Sequence, residues 1–219
     1  TSTPIRVTMY NNQLEMMQGL PPRSISISRE LITEGQAHPE EGVLLILGSG
    51  SLTRGTASHE AIHILVHRAT DNPYHLVPAW LNEGLAEYGN LAPGFSYKYA
   101  LEFAIATNQL IPLMFITTRP STAEDVIIFY GQSSDVVRFL VDNYGDQKLR
   151  EFLTAFKNGL SIDDALFDAY GFNLVALDRN WRMSIGAPPY IPREESYLRP
   201  TSIPAPTLAP YSLTPHPQK

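Results

Sequence analysis

The chain has 219 residues, 43% of them hydrophobic and 17% charged, which is enough apolar material for one large domain or two small ones. A net charge of -6 without any basic run argues against nucleic acid as a partner, because phosphate binding needs clustered Lys and Arg. With no cysteine, disulfide scaffolds and thiolate metal sites are excluded.

Ile5 to Tyr10 alternates apolar and polar residues, the period of a half-buried strand. Asn12 to Gly19 reads as a short helix stopped by Pro21-Pro22. Ser24 to Ser28 alternates Ser and Ile, a second strand, and Gly35 to Gly42 is turn-rich. Val43 to Leu47 reads as a buried strand closed by Gly48-Ser49-Gly50. Apolar runs of this length are far too short to span a bilayer, so no membrane insertion is expected within this chain.

From Leu52 onward the pattern is helical. Helices are expected over Thr56 to Ala69, Pro78 to Tyr88 and Ser96 to Asn108. Leu110 to Thr122, with Pro112 and Pro120, is irregular. Further helices follow over Phe129 to Asn143, Asp146 to Lys157, Ser161 to Tyr170 and Asn173 to about Met183. Gly145, Gly159 and Gly171 punctuate them, and Ser161 is an N-cap. Half of the prolines lie between Pro188 and Pro217, which marks a linker or stalk. The organisation is therefore a β-rich portion (1–50), a helical portion (51–187) and a Pro-rich tail (188–219). The chain begins at Thr1 and not Met; the expectation is that a leader or anchor preceded it.

His59-Glu60-Ala61-Ile62-His63 carries the chemistry. On a helix, residues i and i+4 share a face, so both imidazoles reach one metal ion. Glu60 lies about 100° further round, placed to act on a water at that metal and not as a ligand. A catalytic zinc takes three protein ligands and keeps a position open. His67 continues the series, but three residues along one face spread over two turns, too far for one ion. His38, His75 and His216 fall in loops or the tail. Glu83, twenty positions after His63, is the better third ligand: an acid on an otherwise apolar helix is costly unless paired or metal-bound. Glu87, one turn on, can accept the outer N–H of a ligand histidine.

With Trp80-Leu-Asn-Glu83-Gly-Leu-Ala-Glu-Tyr88 following the His-Glu motif, the sequence resembles the gluzincin metallopeptidases, most closely the bacterial peptidase MA-like domain. Tyr130-Gly131-Gln132-Ser133, Tyr144-Gly145 and the paired helices from Asp146 to Arg182 continue the likeness, which covers Leu44 to Met183. The resemblance implies an α+β, zincin-like fold: a small β-rich portion, then a mainly helical domain with the active-site helix at its centre. It implies one zinc ion on His59, His63 and Glu83, Glu60 as general base, and Tyr130 as a stabiliser of the oxyanion. Peptide or protein chains are the implied partners.

The related aminopeptidases carry an acidic strand motif that captures the substrate amine. Here Gly42 to Gly50 contains no acid, which turns the expectation toward cutting within chains. That strand is expected to be the sheet edge on which a peptide lies. The Pro/Thr/Ser tail and the resemblance imply an extracellular or cell-surface bacterial protein; a cytoplasmic protein with a Pro-rich tail is the alternative. The alternative function is a catalytically silent zinc-binding or adhesion module.

Overall fold

The computed structural model describes residues 3–19, 34–48 and 52–191. The strand expected over Ser24 to Ser28 and all but the first residues of the Pro-rich tail lie outside these. Three strands, β1 (Arg6–Tyr10), β2 (Gly35–His38) and β3 (Val43–Leu47), form a sheet in the order β1-β3-β2. β1 runs parallel to β3 and β2 antiparallel to it. The turn-rich stretch from Gly35 thus contributes a strand first and a turn only from Pro39.

β3 is the central strand and not the edge. Its uninterrupted Val-Leu-Leu-Ile-Leu run follows from burial on both faces. Leu44 and Ile46 pack with Ile64 of the next helix, while Leu45 packs with Met16 of α1 (Gln13–Gly19). β1 pairs as expected, but it is not half-buried: Val7 and Met9 are 55% and 61% exposed. As an edge strand it gains its ladder hydrogen bonds without a helix over these two side chains among the described residues.

α2 (Thr53–Thr70) carries the His-Glu motif and lies between sheet and helical layer. Ala57, Ala61 and Ile64, spaced i, i+4 and i+7, face the sheet. Ile62 and Val66 face the helical core. α2 therefore separates two apolar masses, and the histidines sit at its border with the next helix.

That helix is α3 (Ala79–Tyr88), followed by α4 (Phe95–Ala106), a 3₁₀ turn (Leu113–Phe115), α5 (Ala123–Lys157), α6 (Ile162–Tyr170) and α7 (Leu174–Ser184). The two helices expected over Phe129 to Lys157 are one run broken at Gly145 (φ 81°, ψ 165°), a conformation L-residues avoid. The run starts earlier than expected because Thr122 caps it, accepting from the Asp125 N–H. Trp80, Phe129, Phe152, Phe156 and Trp181 are fully buried at the centre of this layer. α3 and α5 approach closely at Gly84, where a Cβ would run into the Ser133 carbonyl. Ser161 and Asn173 cap α6 and α7, and Gly171 ends α6 in the left-handed conformation (φ 79°).

Candidate metal centre

α2 and α3 hold the centre between them. α2 presents His59 and His63 one turn apart, and α3, running beside it, presents Glu83. The His59 and His63 Nε2 atoms are 3.1 Å apart. Glu83 Oε2 lies 3.3 Å from the first and 3.5 Å from the second. Ligands at zinc-nitrogen and zinc-oxygen distances on a tetrahedron stand roughly 3.3 Å apart, so the three atoms match one face of a zinc site.

The proton accounting points the same way. His59 Nδ1 lies 2.8 Å from Glu87 Oε1, and His63 Nδ1 lies 3.1 Å from Asn82 Oδ1. Each acceptor calls for the N–H on Nδ1 and leaves a lone pair on Nε2. Two lone pairs and a carboxylate oxygen then face one another. Glu83 Oε2 is buried there with no hydrogen-bond partner. The donor set fits a cation.

Without a metal the same carboxylates favour a second proton on His59, which an ion on Nε2 would replace. Burial disfavours charge on His59, but hydrogen bonds to Glu83 and Glu87, with their charges, raise its pKa from 6.5 to about 10 in the absence of a metal. Burial also works to raise Glu83. The His59 hydrogen bond and the charges of His63, His59 and Arg119 outweigh it and hold the carboxyl below 4.5, so it is ionised at neutral pH.

Glu60 lies against β2 and within electrostatic range of His63, His59 and Glu83. Its carboxylate accepts from the Ala37 backbone N–H, and burial lifts its pKa against the pull of His63 and His59. The strand edge beside the centre is thus β2. Gly35 is required there: a Cβ would meet Thr56 and the Glu60 side chain.

Tyr130, on α5, lies across the centre with its ring centroid 6.3 Å from that of His59. Burial first, then Glu83, raises its pKa, with Arg119 opposing, so the phenol keeps its proton at neutral pH. The structure thus brings His59, His63, Glu83, Glu87, Glu60 and Tyr130 to one place. His67 and His75 line the same cleft of about 1090 Å³ but stand outside the metal group among the described residues.

Three residues of the site escaped the sequence reading. Asn82 is the His63 partner; its only signal is a polar residue directly before Glu83. Tyr97, on α4, stacks on Tyr130 at 5.1 Å. Arg119, in the stretch read as irregular, lies over the Tyr130 ring at 5.4 Å. The last two have no spacing rule to find them, because they come from separate elements.

A sheet-flanked helix with two histidines, met by a glutamate from the following helix, forms a group that could hold one metal ion. The chain belongs to the peptidase MA superfamily, whose family model matches residues 1–187. No curated protein and no solved structure matches it.

Proposed function

We propose that the protein is a zinc-dependent peptidase that cuts within peptide chains. The observation that carries this is the convergence of His59 Nε2, His63 Nε2 and Glu83 Oε2 beside an unused carboxylate, Glu60. His59, His63 and Glu83 would hold the ion, with Glu87 and Asn82 fixing the two imidazoles. Zinc in such a site lowers the pKa of water to about 7 and polarises a carbonyl. Glu60 would serve as the proton acceptor for the attacking water and return that proton to the leaving amine. Burial raises the Glu60 pKa, the direction in which a carboxylate becomes a better proton acceptor. Tyr130, protonated, donates to the oxygen that becomes negative.

The edge of β2 offers backbone groups beside Glu60, where an extended peptide can lie. No acid occupies the neighbouring strand, which supports internal cutting over removal of an N-terminal residue. The family membership supports the peptidase class. Peptides or proteins are the partners in this reading, and the bacterial cell surface or its surroundings the place of action. Among the described residues no helix is long and apolar enough to cross a membrane.

The test is metal analysis with hydrolysis of a mixed peptide library by wild type and Glu60→Gln. Stoichiometric zinc in both, with turnover only in wild type, is the expected result. Equal turnover by both proteins removes Glu60 from the mechanism. Zinc without turnover in either supports a silent zinc-binding module instead.

A further inference from the structure

Six acidic side chains line the cleft: Glu34, Glu40, Glu60, Asp71, Glu83 and Glu87. Among the described residues Arg119 is the only Lys or Arg that lines it. It takes part in none of the ion pairs found among the described residues. Asp125 shares the adjoining hollow with it, but that carboxylate is occupied by the Thr122 hydroxyl, which donates to Oδ2 at 2.7 Å.

The Arg119 side chain is exposed, but the backbone that carries it is fixed. The guanidinium lies over the Tyr130 ring, and its segment is pinned on three sides. The Leu110 carbonyl accepts from Arg182, and the Leu113 N–H donates to Asp178. Gln132, fully buried, meets both the N–H and the carbonyl of Ile111. The Ile116 and Thr117 carbonyls accept from the Trp80 and Ala79 N–H groups that open α3. The last of these anchors is two residues before Arg119. Arg119 feels the field of Glu83 but forms no ion pair with it among the described residues, so its planar fork stays open to an anion from outside the chain.

We propose that Arg119 is a specificity-determining residue that takes a carboxylate of the peptide substrate close to the scissile bond. The proposal rests on the peptidase reading above. Arg119 Cζ is 5.4 Å from the Tyr130 ring centre, which is 6.3 Å from that of His59. The guanidinium is therefore within about 12 Å of the metal ligands, the reach of three or four extended residues at roughly 3.3 Å each. Its planar fork matches a carboxylate with two parallel hydrogen bonds. The surrounding acids repel a carboxylate placed anywhere else in the cleft, so charge selects the register as well as the substrate. The carboxylate has two sources, a free C-terminus or an Asp or Glu side chain.

Zinc-loaded Glu60→Gln protein allows binding to be read without turnover. Four fluorescein-labelled hexapeptides combine a free or amidated C-terminus with Glu or Gln in the body, and anisotropy gives each affinity. Loss of the carboxylate that is read weakens binding by about tenfold or more, as for other charge-assisted pairs. Preference for the free terminus over the amide, or for Glu over Gln, identifies the source. Adding Arg119→Ala abolishes the preference and leaves the amidated Gln peptide unchanged, while Arg119→Lys keeps part of it. Equal binding of all four peptides with Arg119 intact overturns the proposal. So does a loss shared equally by all four in both Arg119 variants, which marks a merely structural role. If the preference depends on Arg119 but wild type cleaves no peptide, the anion site stands and the peptidase reading fails.

Discussion

His63 Nδ1 lies 3.1 Å from the side-chain oxygen of Asn82, the residue that directly precedes the Glu83 ligand. One turn of α3 thus supplies a proposed metal ligand and, from the position before it, the acceptor for another. The hydrogen bond sets the imidazole tautomer and aims the Nε2 lone pair into the centre. Asn82→Ala should lower zinc affinity by about 10–100-fold while leaving all three ligands in place. Competition against a chelator of known affinity measures it. Affinity equal to wild type means that Asn82 does not set the tautomer.

Glu87→Gln is expected to act in the same direction at His59. The Glu87 carboxylate is 6% exposed and also accepts from Asn90 at 3.3 Å, so it has little freedom to move. A neutral amide still accepts a hydrogen bond but no longer supplies negative charge. Zinc affinity should fall about 10-fold, less than on removal of the ligand itself. Glu83→Ala should abolish stoichiometric zinc; full retention would place the third ligand elsewhere.

Zinc should stabilise the fold. In its absence Glu83 Oε2 is buried with only the long contacts of His59 and His63, at 3.3 and 3.5 Å, to offset its desolvation. An ion that binds only the folded state adds about 2.7 kcal/mol at a hundred times its dissociation constant. Calorimetry should show a Tm that climbs with zinc concentration and returns on chelation. A Tm indifferent to zinc contradicts the site.

Gln132→Leu should be costly. The side chain is fully buried and satisfies both backbone groups of Ile111. Leucine leaves them unpaired, at about 1–3 kcal/mol for each group. Chemical denaturation measures the loss. Because Ile111 anchors the segment that carries Arg119, affinity for a carboxylate-bearing peptide should fall as well.

Tyr170 makes alkaline stability testable. Its hydroxyl is buried without a hydrogen-bond partner. Burial first, then the charges of Tyr144 and Glu151, raise its pKa above the ordinary 10.0. The unfolded chain loses this proton first as pH rises. The contribution to stability is thus complete below about pH 10 and is lost as pH climbs toward the folded value. Tyr170→Phe should flatten that alkaline decline at little cost near pH 7. An unchanged alkaline limb assigns the decline to other groups.

The chemistry-bearing pieces were legible because they are local. Four-residue spacing places His59 and His63 on one helix face whatever surrounds that helix, and an acid on the apolar stripe of α3 signals Glu83 and Glu87. Helical periods, the Ser161 cap and the glycine stops likewise depend on near neighbours in the chain. Strand order does not. Val43 to Leu47 reads as buried, but only pairing on both sides shows that β3 is central and that β2, hidden in a turn-rich stretch, forms the edge beside Glu60. The exposure of Val7 and Met9 was equally invisible, since alternation says nothing about which faces find a helix. The cleft follows the same division. The sequence alone determined the α+β class and singled out the residues proposed as ligands and base. Only the tertiary structure decided that Asn82 serves His63, that Tyr97 stacks on Tyr130, and that Arg119 is, among the described residues, the only Lys or Arg lining an acidic cleft. Those relationships join α2 to α3, α4 to α5, and an irregular segment to the helices that pin it. Contacts between distant segments are set by close packing, at points such as Gly84 against Ser133, and no periodicity in the chain encodes them.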